Sequence, residues 1–233
     1  MNQHRNKINS LSSLVAACSL GTSGVKIFAV LPLLLGVIAQ HLSLDESQAG
    51  MVASLYYGAY FLATLTSFIW IRRLSWRTLA ILGSALIVVG LVSSAMFNHS
   101  FEGVVSGLMI SGLGAAIVYA LSVTLVSDMQ DKDRRFAIKL IPEQVIPALL
   151  LLLLPALVIE QFGLQGMLLA LAATICLLSL LSVKTPSVGR DHESDESQLN
   201  KPFNKALVFV GLGALVVFFA GFAAIWAFTE ILV

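Results

Sequence analysis

Charge is what this chain is short of. Aspartate, glutamate, lysine and arginine make up 12% of its 233 residues, about half of the roughly 25% found in ordinary soluble domains. A soluble globular domain is excluded on that ground, and no nucleic-acid partner is expected. Cysteine is nearly absent as well. Cys18 and Cys176 both fall inside apolar runs, which argues against a disulfide framework or a thiolate metal site and leaves them as packing residues. The four histidines, His4, His41, His99 and His192, lie in loops or in the N-terminal segment. A buried histidine base or metal cluster is therefore not on offer, and no cofactor is expected. The short apolar/polar alternation of barrel strands is also missing.

Long uncharged runs take the place of all this. Some 58% of the residues are hydrophobic, and mean hydropathy is +0.90. About 20 apolar residues cross roughly 30 Å of hydrocarbon as a helix. Seven runs of that kind are read at 14–38, 50–71, 78–97, 104–127, 137–159, 162–183 and 206–231. Backbone groups in lipid must be satisfied internally, so the expectation is an all-α, polytopic membrane protein of about seven transmembrane helices. The segment "LVAAC" at 14–18 matches a lipoprotein-type cleavage box. The polar residues "INSLSSL" before it and the apolar run continuing past Cys18 read instead as a spanning helix.

The scarce charges are sorted by side. Loops taken alternately place 13 of the 14 basic residues on one side, from Arg5 and Lys7 through Arg72, Arg73, Arg77, Lys132, Arg134, Arg135 and Lys139 to those of the 184–205 segment. The other side holds Asp45, Glu46, Glu102 and Glu160 and no lysine or arginine. The positive-inside rule then predicts a cytoplasmic N-terminus. A bacterial inner membrane is the expected location. Lys26 is the one basic residue outside this scheme. Connections are short except for "VKTPSVGRDHESDESQLNKPFN", 184–205, a polar linker that separates six helices from one.

Two stretches, "LSLDESQAGMVASLYYGAYFLATL" at 42–65 and "SGLMISGLGAAIVYALSVTLVSDM" at 106–129, resemble the second and fourth helices of the major facilitator superfamily. "FFAGFAAIWAFTEIL" at 218–232 is similar to that family's seventh helix. The resemblance implies a six-helix N-terminal bundle over 1–183, a cytoplasmic linker over 184–205, and the first helix of an incomplete C-terminal bundle over 206–233. It further implies secondary active transport of a small solute by alternating access between two bundles, with a coupling proton or other ion, and a missing C-terminal bundle as partner. The family's motif between helices 2 and 3 is an aspartate, an arginine, any residue, a glycine and then basic residues. In "IRRLSWRTL" Arg73 and Arg77 hold basic positions, while Arg72 stands at the aspartate and Ser75 at the glycine. The resemblance makes Arg73, Arg77 and Asp128 a cytoplasmic gate, with Arg73 and Asp128 as the expected pair. The alternative is that these arginines only anchor helix ends. Leu108 stands where many proton antiporters of the family have an arginine, and the fifth run lacks glycine. Both departures weaken a drug/proton antiport reading.

A charge deep in a membrane is expensive, roughly 2.5–3.5 kcal/mol on insertion scales. Lys26 lies 12 residues beyond Leu14, hence ~18 Å into the first helix. Steps of three and four place Ser19, Thr22, Ser23 and Lys26 on one face. Lys26 is read either as a cavity residue that attracts an anionic group of the solute or as a structural cation. Glu143 is its candidate partner, or else a solvated carboxylate at a helix start. Gln144, with Pro142 and Pro147, makes the approach to that helix polar and kinkable. Tyr60 and Tyr119 are candidate solute contacts, with packing as the alternative. Gly103 with Gly107, and Gly112 with Gly114, are expected to favour close helix contacts. Glu230 is read either as an outer gate or as an interfacial carboxylate.

Rival functions have less behind them. A retinal protein needs a lysine in its last helix, and the seventh run has none beyond Lys205 at its start. "SGVK" at 23–26 has the Ser-x-x-Lys spacing of some acyl-enzyme hydrolases, without their companion motifs. A non-transporting half-carrier, or a subunit that depends on a partner, is the main alternative to a transporter.

Overall fold

Short polar residues cap the starts of several helices. A computed structural model describes residues 8–183 and 185–187, together with residues 210, 211, 213, 214, 217 and 221, and all regular structure among them is helical. Helix α1 (Leu11–Leu42) is capped by Ser10, whose hydroxyl accepts from the Ser13 amide at 3.2 Å, and it ends at Ser43 in the left-handed region, φ 53°. Helix α2 (Glu46–Leu65) starts from a reciprocal capping box. Asp45 accepts from the Gln48 amide at 2.7 Å, and the Gln48 side chain accepts from the Asp45 amide at 3.1 Å. A one-turn helix α3 (Ser67–Trp70) extends it. Helix α4 (Trp76–Met96) follows, and α5 (Phe101–Ser127) is capped by Ser100 at the Gly103 amide, 3.1 Å, with Glu102 in its first turn.

Helix α6 (Lys132–Leu154), a π-helical turn over Pro155–Ile159 and helix α7 (Glu160–Ser182) together make an apolar stretch of 51 residues. That is far more than one crossing needs. Gly163, at φ 57° and ψ −148°, divides it with a conformation that a side chain would strain. Pro155 has no N–H for the preceding turn, and the π-helical turn begins at it. Four other stretches are long and apolar enough to cross a membrane: Leu11–Leu42, Glu46–Trp70, Trp76–Met96 and Phe101–Ser127. The seventh expected run, 206–231, lies outside the described residues apart from the six positions named above, and Glu230 lies outside them entirely. Two compact units are distinguished, Met1–Gly189 and Arg190–Val233.

Within the first unit α1 is the hub, packed against α5, α6 and α7, while α5 packs against α4, α1 and α2. The α4–α5 contact, the most extensive, is made by glycines. Gly83 and Gly90 on α4 meet Gly114 and Gly107 on α5, seven residues apart on each antiparallel helix. A Cβ at Gly90 would run into the Gly107 carbonyl and the Ser111 backbone. One at Gly114 would approach the Ile87 amide to 2.8 Å. Ser94 then donates across the seam to the Val104 carbonyl at 2.9 Å. The close helix contacts expected from sequence are made at Gly107, Gly112 and Gly114 but not at Gly103. Gly107 and Gly114 serve this seam, Gly112 gives room to the Tyr56 backbone and ring of α2, and Gly103 abuts Phe97 and Ser100 at its own helix start.

Gly90→Val should push α4 off α5, at a cost of about 1–3 kcal/mol. It should lower the unfolding temperature in detergent, whereas Gly50→Ala, where nothing lies within 4 Å, should not. Equal melting of the two variants would contradict a seam set by backbone contact.

Candidate functional site

Helix α6 is turned inside out by the standards of a soluble protein. Its buried residues are Lys139, Glu143, Pro147 and Leu154, whereas Leu140, Ile141, Leu149, Leu152 and Leu153 are exposed. In a bilayer that orientation is the economical one, because aliphatic side chains lose nothing in lipid while a charge there is costly. Lys139 and Glu143, one turn apart, form an ion pair of 2.5 Å with each side chain only 1% exposed. Beyond this ion contact Glu143 Oε1 has no hydrogen-bond partner among the described residues. Helix α1 makes the space. A Cβ at Gly21 would strike that same oxygen, and would stand 2.8 Å from Ser122 Oγ and 2.9 Å from Lys139 Cε. Ser122 fixes the crossing by donating to the Ala17 carbonyl at 2.6 Å.

Aromatic rings close the site. Lys139 Nζ lies 4.7 Å from the Tyr119 ring centroid and 5.9 Å from that of Phe136, a favourable arrangement for a desolvated ammonium. Tyr60 and Tyr119, both half-buried, are within electrostatic reach of Glu143. On α2, Tyr56 stands edge-on to Tyr57 at 5.6 Å, and Tyr57 stands likewise to Phe28 of α1 at 5.4 Å. The hydroxyls of Tyr56 and Tyr57 are buried and have no hydrogen-bond partner among the described residues.

Lys26 is fully buried too, but it leaves α1 on the side of α7. Its ammonium donates to the Leu171 carbonyl at 2.8 Å and to the Thr174 hydroxyl. Seven residues earlier Ser19 donates to the Leu178 carbonyl, so two polar contacts in matching antiparallel register stitch α1 to α7. The pairing expected between Lys26 and Glu143 is therefore not made. The carboxylate meets the lysine of its own helix, and Lys26 points to a different neighbour. Thr22 and Ser23 are buried, with Thr22 donating to the Cys18 carbonyl of its own helix at 2.8 Å, and Gln144 is exposed.

At the end of the bundle where the arginines gather, Asp128 closes α5 and takes a two-pronged contact from Arg72, at 2.8 and 2.9 Å. The pair expected from sequence was Arg73 with Asp128. Neighbouring residues in a helical turn point about 100° apart, and here it is Arg72 that faces α5, while Arg73 and Arg77 are exposed. The Arg72 guanidinium also lies 5.9 Å from the Trp76 ring centroid. Trp76 is fixed by its indole donating to the Ile71 carbonyl at 2.9 Å and by its amide donating to the Ser187 carbonyl at 2.9 Å.

Sequence reasoning did not single out Lys139 or Gly21, and it read Arg72 only as a departure from the family motif. Lys139 falls at the charged start of the apolar run 137–159 and is counted there with the basic residues of the adjoining loop. Its i,i+4 spacing from Glu143, on the face opposite the leucines, was the available signal. Breaking the pair from one side should cost roughly 3–5 kcal/mol, because one charge stays buried alone, while an apolar replacement of both is near neutral. Thermal unfolding in detergent should thus show Lys139→Met and Glu143→Met each melting well below the parent and the double variant recovering most of the loss. Additive losses would mean that the two side chains do not act as a pair.

The sequence model of the Major Facilitator Superfamily matches residues 13–233. No curated protein matches the chain in sequence. Among solved structures, the fold is similar to the in meso crystal structure of the POT family transporter PepTSo, with a TM-score of 0.61 and 17% identity. The likeness covers 97% of this chain and 52% of that one. The chain thus spans about half the length of PepTSo, and at that identity the likeness speaks for the fold alone. Apolar helices long enough to span a bilayer and a family match over nearly the whole length lead to one conclusion: this is a multi-pass membrane protein that belongs to the Major Facilitator Superfamily.

Proposed function

We propose that the chain forms one wall of a secondary active transporter that moves a small solute by alternating access, with the opposite wall supplied by a second bundle that begins after the 184–205 linker. The observation that carries this reading is the Lys139–Glu143 pair, buried where α1, α5 and α6 cross. A structural pair in lipid adds little stability over an apolar replacement, so a functional use is the better account of its presence. In this reading Glu143 takes up the coupling proton. Once it is neutral, the Lys139 ammonium is free to attract an anionic group of the solute, with Tyr60 and Tyr119 beside it. Lys26, with Ser23 and Thr22 near it, becomes a second cation for the solute only when α1 shifts along α7. Arg72 and Asp128, flanked by Arg73 and Arg77, form the gate at the cytoplasmic end, where the positive-inside rule also puts the N-terminus.

The proton role is tested in the complete carrier. Glu143→Gln should reduce solute accumulation driven by an imposed pH gradient by at least about tenfold while leaving exchange of solute across a gradient-free membrane. Undiminished accumulation would remove Glu143 from coupling. Because the chain covers 52% of PepTSo, the need for a second bundle has a test of its own. Liposomes that hold only these 233 residues should take up no solute, and uptake by them would count against the need for a second bundle.

The orientation is tested by labelling a cysteine-free background with an impermeant maleimide. Glu102→Cys should react from outside intact cells, and Lys132→Cys only after permeabilisation. The reverse pattern would invert the topology.

A further inference from the structure

Beside the clasp of Arg72 and Asp128, the same end of the bundle carries a cleft of about 280 Å³ between the start of α1 and the start of α6. Arg134, Arg135, Asp131 and Asn9 make its polar side, and Leu11, Leu14 and Ile138 its apolar side. The polar wall is built. Arg135 donates to the Asn9 carbonyl at 3.1 Å and approaches Met129 Sδ at 3.4 Å, and the Asn9 side chain accepts from the Gln130 amide at 2.8 Å. Arg134 differs. Its guanidinium is exposed and has no hydrogen bond or ion pair among the described residues, and Asp131 pairs with neither arginine. Leu11 is 76% exposed and Ile138 37% exposed, an apolar margin on two helical stretches long and apolar enough to cross a membrane.

From this arrangement we infer that the cleft binds the phosphate of an anionic membrane lipid. Arginine presents a planar fork that matches two phosphate oxygens, and an unpaired one at the basic membrane interface is suited to an anionic headgroup. Acyl chains would run along Leu11 and Ile138 toward the hydrocarbon. That apolar margin is what favours a lipid over a free phosphate, which has no use for it. The inference rests on membrane insertion and on this cleft, and not on the proton or solute roles proposed above.

The test uses the full chain, purified in mild detergent and followed by native mass spectrometry with phosphatidylglycerol or phosphatidylcholine of the same acyl chains. Phosphatidylglycerol should bind preferentially, and Arg134→Gln should reduce its occupancy about fivefold, the effect of one arginine near a membrane surface. Arg77→Gln removes the same charge at the same end outside the cleft and should leave occupancy unchanged. Because Arg134 makes no hydrogen bond or ion pair among the described residues, its variant should unfold at the parent temperature in phosphatidylcholine. Undiminished binding by Arg134→Gln would overturn the inference, as would an equal loss in Arg77→Gln, which would indicate diffuse attraction. Displacement of phosphatidylglycerol by an equal concentration of inorganic phosphate would show a free-anion site and overturn the lipid assignment.

Discussion

A lysine and a glutamate sunk in a bundle that lives in lipid have to meet each other, and the meeting of Lys139 with Glu143 governs much of the architecture around it. It sets the rotation of α6, whose leucines can face outward only if the two charges face inward. It dictates that α1 present no side chain at residue 21, since even a methyl group would occupy the place of the carboxylate oxygen. It also gives Tyr119 its position, because a ring 4.7 Å from the ammonium replaces part of the hydration lost on burial. Helices α1 and α5 thereby close around a single charged contact made within α6.

Elsewhere the bundle is held by backbone approach and not by side-chain bulk. Lipid removes the hydrophobic drive for helices to associate, so close packing and hydrogen bonds must do it. The α4–α5 seam uses four glycines at matched intervals with a serine hydroxyl at its end. The α1–α7 seam uses Ser19 and Lys26, which donate to main-chain carbonyls one heptad apart. The second arrangement is the less common kind, for it employs a lysine where a serine would be cheaper. An ammonium directed at a carbonyl and a threonine hydroxyl is only partly satisfied, and that incompleteness separates Lys26 from a purely structural contact such as that of Ser122.

Much of this was legible from residues alone, and the part that was not fails for physical reasons. Long uncharged runs predicted the helices of 1–183 because lipid allows few alternatives. They placed Lys139 only at the charged margin of the run 137–159, since apolar runs mark hydrocarbon, whereas α6 begins several residues earlier, at Lys132. A charge on the first two turns of a helix looks identical in sequence whether it faces water or a neighbouring helix. The same ambiguity affected Arg72 and Arg73. Only the turn between α3 and α4 decides which of two adjacent arginines faces Asp128, and Ser75 and Trp76 shape that turn through tertiary contacts. Lys26 was found because it interrupts an apolar run, yet its direction depended on which neighbour lies beside α1 at that height, and periodicity does not carry that information.

The two ends of the charged network differ in how much freedom they have. Asp128 is almost fully buried while Arg72 keeps 42% of its side chain exposed. A contact of that kind loses less when it opens than one with both partners buried, because the arginine can return to water while only the carboxylate stays enclosed. Lys139 and Glu143 have no such outlet, each being enclosed by α1, α5 and α6. Separating them without a proton would leave two isolated charges in a medium of low dielectric. In the proposed reading, motion at the end that carries Arg72 and Asp128 exchanges one contact for hydration of the arginine, whereas separation of Lys139 from Glu143 is accompanied by neutralisation of the carboxylate. That difference is what supports proposing a gate at the first pair and coupling at the second.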